Sequence, residues 1–175
     1  MQLIRYGKPR RDDFCEATFQ RIGKLVGGTI PDEYVGYLRE YGTGRKLQPN
    51  TVKSGTVNDL RVEEFLTVSD EDDPESVAGA TRTFRANGMI SDNILLFAEA
   101  YGGHLQYGLI LEGPLYGSVV AMDSARLILD GRETEIPNVK GVYHLARSFD
   151  EFIDSLYSDP QELEEWEEDY GPLNG

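Results

Sequence analysis

Three apolar runs joined by very short turns constrain this chain more than any other feature. They are Asn93-Ile94-Leu95-Leu96-Phe97-Ala98, Leu105-Gln106-Tyr107-Gly108-Leu109-Ile110-Leu111 and Gly117-Ser118-Val119-Val120-Ala121-Met122-Asp123. Tyr101-Gly102-Gly103-His104 and Glu112-Gly113-Pro114 lie between them. Connections this short cannot cross over a sheet, so neighbouring strands must run antiparallel. The pattern predicts a meander with Leu105, Tyr107, Leu109 and Leu111 on one face of its middle strand. A further short strand is expected at Arg126–Leu129, before Asp130-Gly131.

Helical periodicity surrounds this β-rich centre. Asp13 with Glu16 three residues on reads as a capping box, with Cys15, Phe19, Ile22, Leu25 and Val26 on one face and Gly27-Gly28 as the stop. Pro31 opens a second helix with a stripe of Tyr34, Leu38 and Tyr41, ended by Gly42. Residues 43–59 read as a polar loop holding one short strand, and 60–68 as a strand. Asp73-Pro74 reads as an N-cap and first-turn proline for a third helix, with Val77, Ala80, Thr81 and Phe84 inward and Asn87-Gly88 as its stop. Ser148-Phe149-Asp150-Glu151 opens the clearest helix, with Phe149, Phe152, Ile153, Leu156 and Tyr157 on one face. Asp159-Pro160 breaks it and starts a last helix, expected to dock through Leu163 and Trp166 with its glutamates exposed; a disordered acidic tail is the alternative.

This order describes an α+β domain, a central antiparallel sheet flanked by N-terminal and C-terminal helices. The 175 residues suit one domain over 1–157 followed by an acidic C-terminal helix or tail over 158–175. No run approaches the length of a transmembrane helix, the N-terminus lacks a signal-peptide core, and one cysteine forms no intramolecular disulfide. A cytoplasmic protein with no membrane partner is the expectation.

Charge narrows the choice of partner. The formal net charge is −14, and residues 148–175 hold ten acids and no Lys or Arg. A second knot is Asp70-Glu71-Asp72-Asp73-Pro74-Glu75. Such a surface disfavours nucleic acid, whose binding requires basic contacts, and attracts basic proteins. Solubility alone is the plainer reading of the same acids. The candidate partner-binding residues are Asp70, Glu71, Asp72, Asp73, Glu164, Glu165, Glu167 and Glu168, with Tyr101 and Tyr116 as aromatic anchors.

Catalytic constellations find little support. His104 and His144 are 40 residues apart, without metal-ligand spacing. Cys15, on the apolar face of its helix, reads as a small buried hydrophobe without a nearby base. Gly42-Thr43-Gly44-Arg45-Lys46 follows a helix instead of preceding one, so no helix N-terminus faces a phosphate there. A calcium loop starting at Asp70 would place Pro74 at position 5 and Thr81 where a bidentate Glu is needed. The expectation is no enzyme, no metal and no cofactor.

Three segments in this order carry a family resemblance: Ile30-Pro31-Asp32-Glu33-Tyr34-Val35-Gly36-Tyr37-Leu38, Ile94-Leu95-Leu96-Phe97-Ala98-Glu99-Ala100-Tyr101-Gly102-Gly103, and Leu145-Ala146-Arg147-Ser148-Phe149-Asp150-Glu151-Phe152. Together they resemble the SUKH superfamily of Smi–Knr type proteins across residues 14–157. Tyr41-Gly42-Thr43-Gly44 departs from the Asn-Gly pair that many members carry. The resemblance implies an α+β fold. For bacterial members it implies immunity, the binding and neutralising of a toxin, often a nuclease; eukaryotic members are interaction and regulatory modules. It transfers no catalytic residue. Two readings follow: an immunity protein against a basic toxin domain, or a housekeeping interaction module without a toxin partner.

Overall fold

A computed structural model describes residues 4–6, 15–42, 46–53, 58–68, 73–100, 102–123 and 141–170. Five strands form the central sheet: β5 (Glu64–Phe65), β6 (Ile94–Ala100), β7 (Leu105–Ile110), β8 (Val119–Asp123) and β9 (Val142–Ala146), in that order and antiparallel throughout. The predicted meander is therefore its middle. β9 was not foreseen, because Tyr143, His144 and Leu145 are half-buried and its short run lacks clean alternation. The strand expected at 126–129 lies outside the described residues.

Two smaller antiparallel sheets accompany it. β1 (Ile4–Tyr6) pairs β2 (Lys46–Gln48), and β3 (Thr51–Lys53) lies between β4 (Asn58–Arg61) and β10 (Leu156–Tyr157). Residues 43–59 thus carry more strand than the one expected. Strands of three or four residues present too few alternations to be read locally and are held by their partners. The same pairing corrects the helix expected through Tyr157: Leu156 leaves it to pair with Val52.

Five helices are described: α1 (Glu16–Val26), α2 (Asp32–Tyr41), α3 (Val77–Ala86), α4 (Phe149–Ser155) and α5 (Pro160–Tyr170). In α1 the buried stripe is Phe19, Ile22 and Val26. Leu25 was expected inside but is 44% exposed. At 3.6 residues per turn it stands about 90° from the centre of that stripe. Cys15 is exposed too, because it is the extended residue before α1 and not part of the helical face. The proposed cap at Asp13 lies outside the described residues.

α3 starts at Ser76, not at Asp73. The Ser76 Oγ accepts from the Gly79 amide at 3.0 Å and donates to the Asp73 carbonyl at 2.7 Å. Asp73 instead closes the preceding turn, its Oδ1 accepting from the Glu75 amide at 2.9 Å. Arg85 then ties the layers together, donating to the carbonyls of Val26 and Ile94.

Aromatic rings fill the core between α2, α4 and the sheet. Phe97 lies 5.4 Å from Phe149, 5.7 Å from Phe152 and Tyr34, and 5.9 Å from Phe65, ring centre to ring centre. Edge-to-face and tilted geometries of this kind add about 0.5–1.5 kcal/mol per pair beyond burial. Tyr34, Phe97, Phe149 and Phe152 have no solvent exposure. This packing fixes α2 and α4 side by side and so decides which of their N-terminal carboxylates meet.

Candidate protein-binding surface

Tyr116 is one of two large hydrophobic side chains exposed among the described residues, at 45%. It stands in the turn between β7 and β8, which its own backbone locks: the Tyr116 amide donates to the Gly113 carbonyl at 3.1 Å, and the Gly117 amide to Ile110 at 2.8 Å. Gly113 and Gly117 hold positive φ values of 80° and 83°, the left-handed geometry that such a turn requires. The ring is thus presented on a rigid support.

Acidic groups gather beside it. Partial burial, then the charges of Asp32 and Glu33, push the Tyr116 phenol above its ordinary pKa. Both carboxylates belong to the first turn of α2. The Glu33 Oε2 also accepts from the Phe149 amide at 3.0 Å and the Asp150 amide at 3.4 Å, so an α2 side chain caps α4. Ser148 completes that N-terminus, accepting from the Glu151 amide at 3.1 Å. Asp150 is pushed up by burial and then by repulsion from Glu33 and Asp154. The Glu33 charge thus raises both the Tyr116 phenol and the Asp150 carboxyl. Sequence reading proposed Tyr116 but missed its acidic neighbours. Asp32 and Glu33 read locally as helix-start residues, and Glu33 meets Phe149 across 116 positions.

The other candidates divide. Glu164, Glu165, Glu167 and Glu168 are exposed on α5. Glu162 overturns the expectation that all glutamates of this helix face solvent. It is buried at 6% exposure and bonded to Asn50 at 3.0 Å, with Arg61 Nε at 3.5 Å. Leu163 is half-buried, as expected of a docked helix. Asp73 is half-buried and engaged in its turn. Asp70, Glu71, Asp72, Tyr101 and the Trp166 side chain lie outside the described residues. The charges acting on Tyr116 come from α2, not from the glutamates of α5.

His104 is exposed on the β6–β7 turn, whereas His144 is half-buried on β9 opposite Val120. The Cys15 thiol is lowered, first by the Thr18 backbone amide, and stands exposed. Among the described residues no group of three or more His, Cys, Asp or Glu could hold a metal ion. None of the described helices is long and apolar enough to cross a membrane. What the structure offers is an exposed aromatic on a hydrogen-bonded turn and a row of exposed glutamates on α5.

An α+β domain built on a five-stranded antiparallel sheet flanked by helices is the class these features define. The chain belongs to the SMI1/KNR4 family (SUKH-1), whose family model matches residues 15–155. Membership is consistent with an immunity-type, protein-binding module. The matched span ends before α5, so Glu162 and the exposed glutamates lie beyond it. A search of curated proteins returned no match.

Proposed function

We propose that the protein is a non-catalytic immunity protein of the bacterial cytoplasm that binds and neutralises a basic toxin domain. The observation that carries this reading is the family match over residues 15–155. The net charge of −14 supports it by favouring a basic partner. The mechanism needs no bond chemistry. Carboxylates of the inhibitor occupy the groove in which a nuclease-type toxin holds phosphates, or bind beside it and block access.

The test is a pull-down with the toxin domain encoded beside this gene, followed by association kinetics at two salt concentrations. Attraction between exposed charges is screened over about 8 Å at physiological ionic strength, so association should slow as salt rises. Changing Glu164, Glu165, Glu167 and Glu168 together to Gln should slow association more than it speeds dissociation. Failure of wild-type protein to bind or protect against any neighbouring toxin would favour the housekeeping interaction module.

A further inference from the structure

We infer that Asn87 is a site of spontaneous covalent modification, deamidation through a cyclic imide, and that the C-terminal cap of α3 sets its rate. This does not depend on the nature of any partner.

An Asn-Gly pair meets little hindrance in this reaction, because glycine has no side chain to shield its amide nitrogen. Asn87 and Gly88 are both exposed, and a Cβ added at Gly88 would meet nothing within 4 Å. The Gly88 nitrogen attacks the Asn87 Cγ, the Cγ–Nδ2 bond breaks, and ammonia leaves with the proton of the Gly88 amide. Water then opens the five-membered imide at either carbonyl, leaving aspartate or isoaspartate. No other reactant is required.

The folded chain opposes the first step. Gly88, at a φ of 66°, and Met89 close a Schellman cap. The Gly88 amide donates to the Arg85 carbonyl at 2.9 Å, and the Met89 amide to the Phe84 carbonyl at 2.9 Å. The attacking nitrogen thus has its proton held in a hydrogen bond. The Asn87 Nδ2 donates to the Thr83 carbonyl at 2.9 Å, which turns the side chain back along the helix. A ψ of 3° at Asn87 also eclipses the Gly88 nitrogen with the Asn87 nitrogen, whereas ring closure needs it beside the Cβ. These three hydrogen bonds must open before the ring can close, so deamidation advances only when the last turn of α3 unwinds.

The product undoes the cap. A carboxylate has no proton to donate to the Thr83 carbonyl, and its negative charge stands at the helix end that the dipole disfavours. Isoaspartate also adds a carbon to the main chain. The same turn carries Arg85, which ties α3 to the carbonyls of Val26 and Ile94, so a change at Asn87 reaches α1 and β6.

The experiment incubates the full chain in heavy-oxygen water at mildly alkaline pH, folded and in urea. Peptide mass mapping then follows Asn87, separately from the Asn174-Gly175 pair. Asn87 should gain one heavy oxygen in both samples, more slowly when folded by roughly ten- to a thousandfold, the factor that three net hydrogen bonds supply. Asn87→Gln should stop conversion there, because its longer side chain must close a slower six-membered ring. Asn87→Asp stands in for one product. It should fold by circular dichroism, unfold at lower urea than wild type, and exchange the amides of residues 84–89 faster. Equal rates in the folded and urea samples, or no folded-state conversion within the expected range, would overturn the gated site. Asn87→Asp as stable and as protected as wild type would overturn the loss of the cap.

Discussion

The carboxylate of Glu162 accepts a hydrogen bond from the side-chain amide of Asn50 at 3.0 Å, across 112 positions of sequence. Thr51 Oγ1 reaches its other oxygen at 3.4 Å, and Arg61 Nε approaches at 3.5 Å. A buried carboxylate is tolerated only when donors surround it, and these three come from β3, β4 and the residue before β3. The C-terminal helix, outside the family match, is thereby anchored to the sheet that β10 also joins.

Glu162→Ala should therefore loosen α5 specifically. Hydrogen bonds to a charged group contribute about 1.5–3 kcal/mol, and a loss of that size is expected in chemical denaturation. Hydrogen exchange over residues 160–170 should accelerate more than over β6–β8. Glu162→Gln keeps an acceptor oxygen and should lose less. An unchanged exchange pattern in Glu162→Ala would show that the helix is held by other contacts.

Tyr34 offers the opposite case. Its ring has no solvent exposure and its hydroxyl has no hydrogen-bond partner among the described residues. Burial drives its phenol far above the ordinary value. Removing an unsatisfied buried hydroxyl recovers its desolvation cost, so Tyr34→Phe should be neutral or stabilising by up to about 1 kcal/mol. Tyr34→Ala should cost about 3–5 kcal/mol, because the ring packs on Phe19, Phe97 and Phe149. Urea midpoints of the two variants should thus move in opposite directions, or Tyr34→Phe should not move; a clear loss in Tyr34→Phe contradicts the orphaned hydroxyl.

At Gly79 the usual effect of alanine in a helix should reverse. Gly→Ala in an exposed helix interior typically gains about 1 kcal/mol. Here a Cβ would lie 2.0 Å from the Asp73 carbonyl oxygen, the same group that receives the Ser76 hydroxyl. Gly79→Ala should destabilise by about 1–3 kcal/mol through displacement of the 73–76 turn. Thermal unfolding of the variant at or above the wild-type midpoint would refute this.

Two adjacent residues of α4 should respond to pH with opposite signs. Asp150 is raised above its ordinary 3.8, by burial first and then by Glu33 and Asp154. Its folded state holds the proton more tightly, so its favourable contribution is present below the unfolded value and lost as pH rises through the raised one. Asp150→Asn should thus gain stability near neutrality, with the gain vanishing in acid. Glu151 is lowered from 4.5, first by its side-chain hydrogen bond with Arg147. Its contribution is present above the unfolded value and disappears as pH falls through the lowered one, so Glu151→Gln should cost stability only at the higher pH. Denaturation curves of both variants between pH 3 and 7, in about half-unit steps, check the crossing signs.

Local chemistry in the sequence went far at particular places. Ser148 and Asp159 are caps wherever such residues precede a helix: the Asp159 Oδ1 accepts from the Gln161 and Glu162 amides at 2.9 and 3.2 Å. The β6–β7–β8 meander followed from three apolar runs and the short turns between them. At α3 the local signal was ambiguous, since Asp73 and Ser76 both precede Val77, and only the close approach of Gly79 chose Ser76. β3, β4 and β10 were hidden because a two- to four-residue strand takes its structure from the partner it pairs with.

The sequence by itself determined where this chain turns, which helices it caps and that its surface is strongly acidic, because each depends on neighbours within a few positions. Tertiary structure decided which acids are surface and which are structure. Glu162 and Glu164 look alike in sequence, yet one is buried against Asn50 and Arg61 while the other faces solvent. Glu33 and Asp32 are adjacent, yet Glu33 caps a helix that begins 116 residues later. Aromatic packing sets α2 beside α4, and that is what brings the Glu33 carboxylate to the Phe149 amide. Burial and electrostatic environment depend on distance in space, and no local pattern encodes a contact between segments that only the packed core brings together.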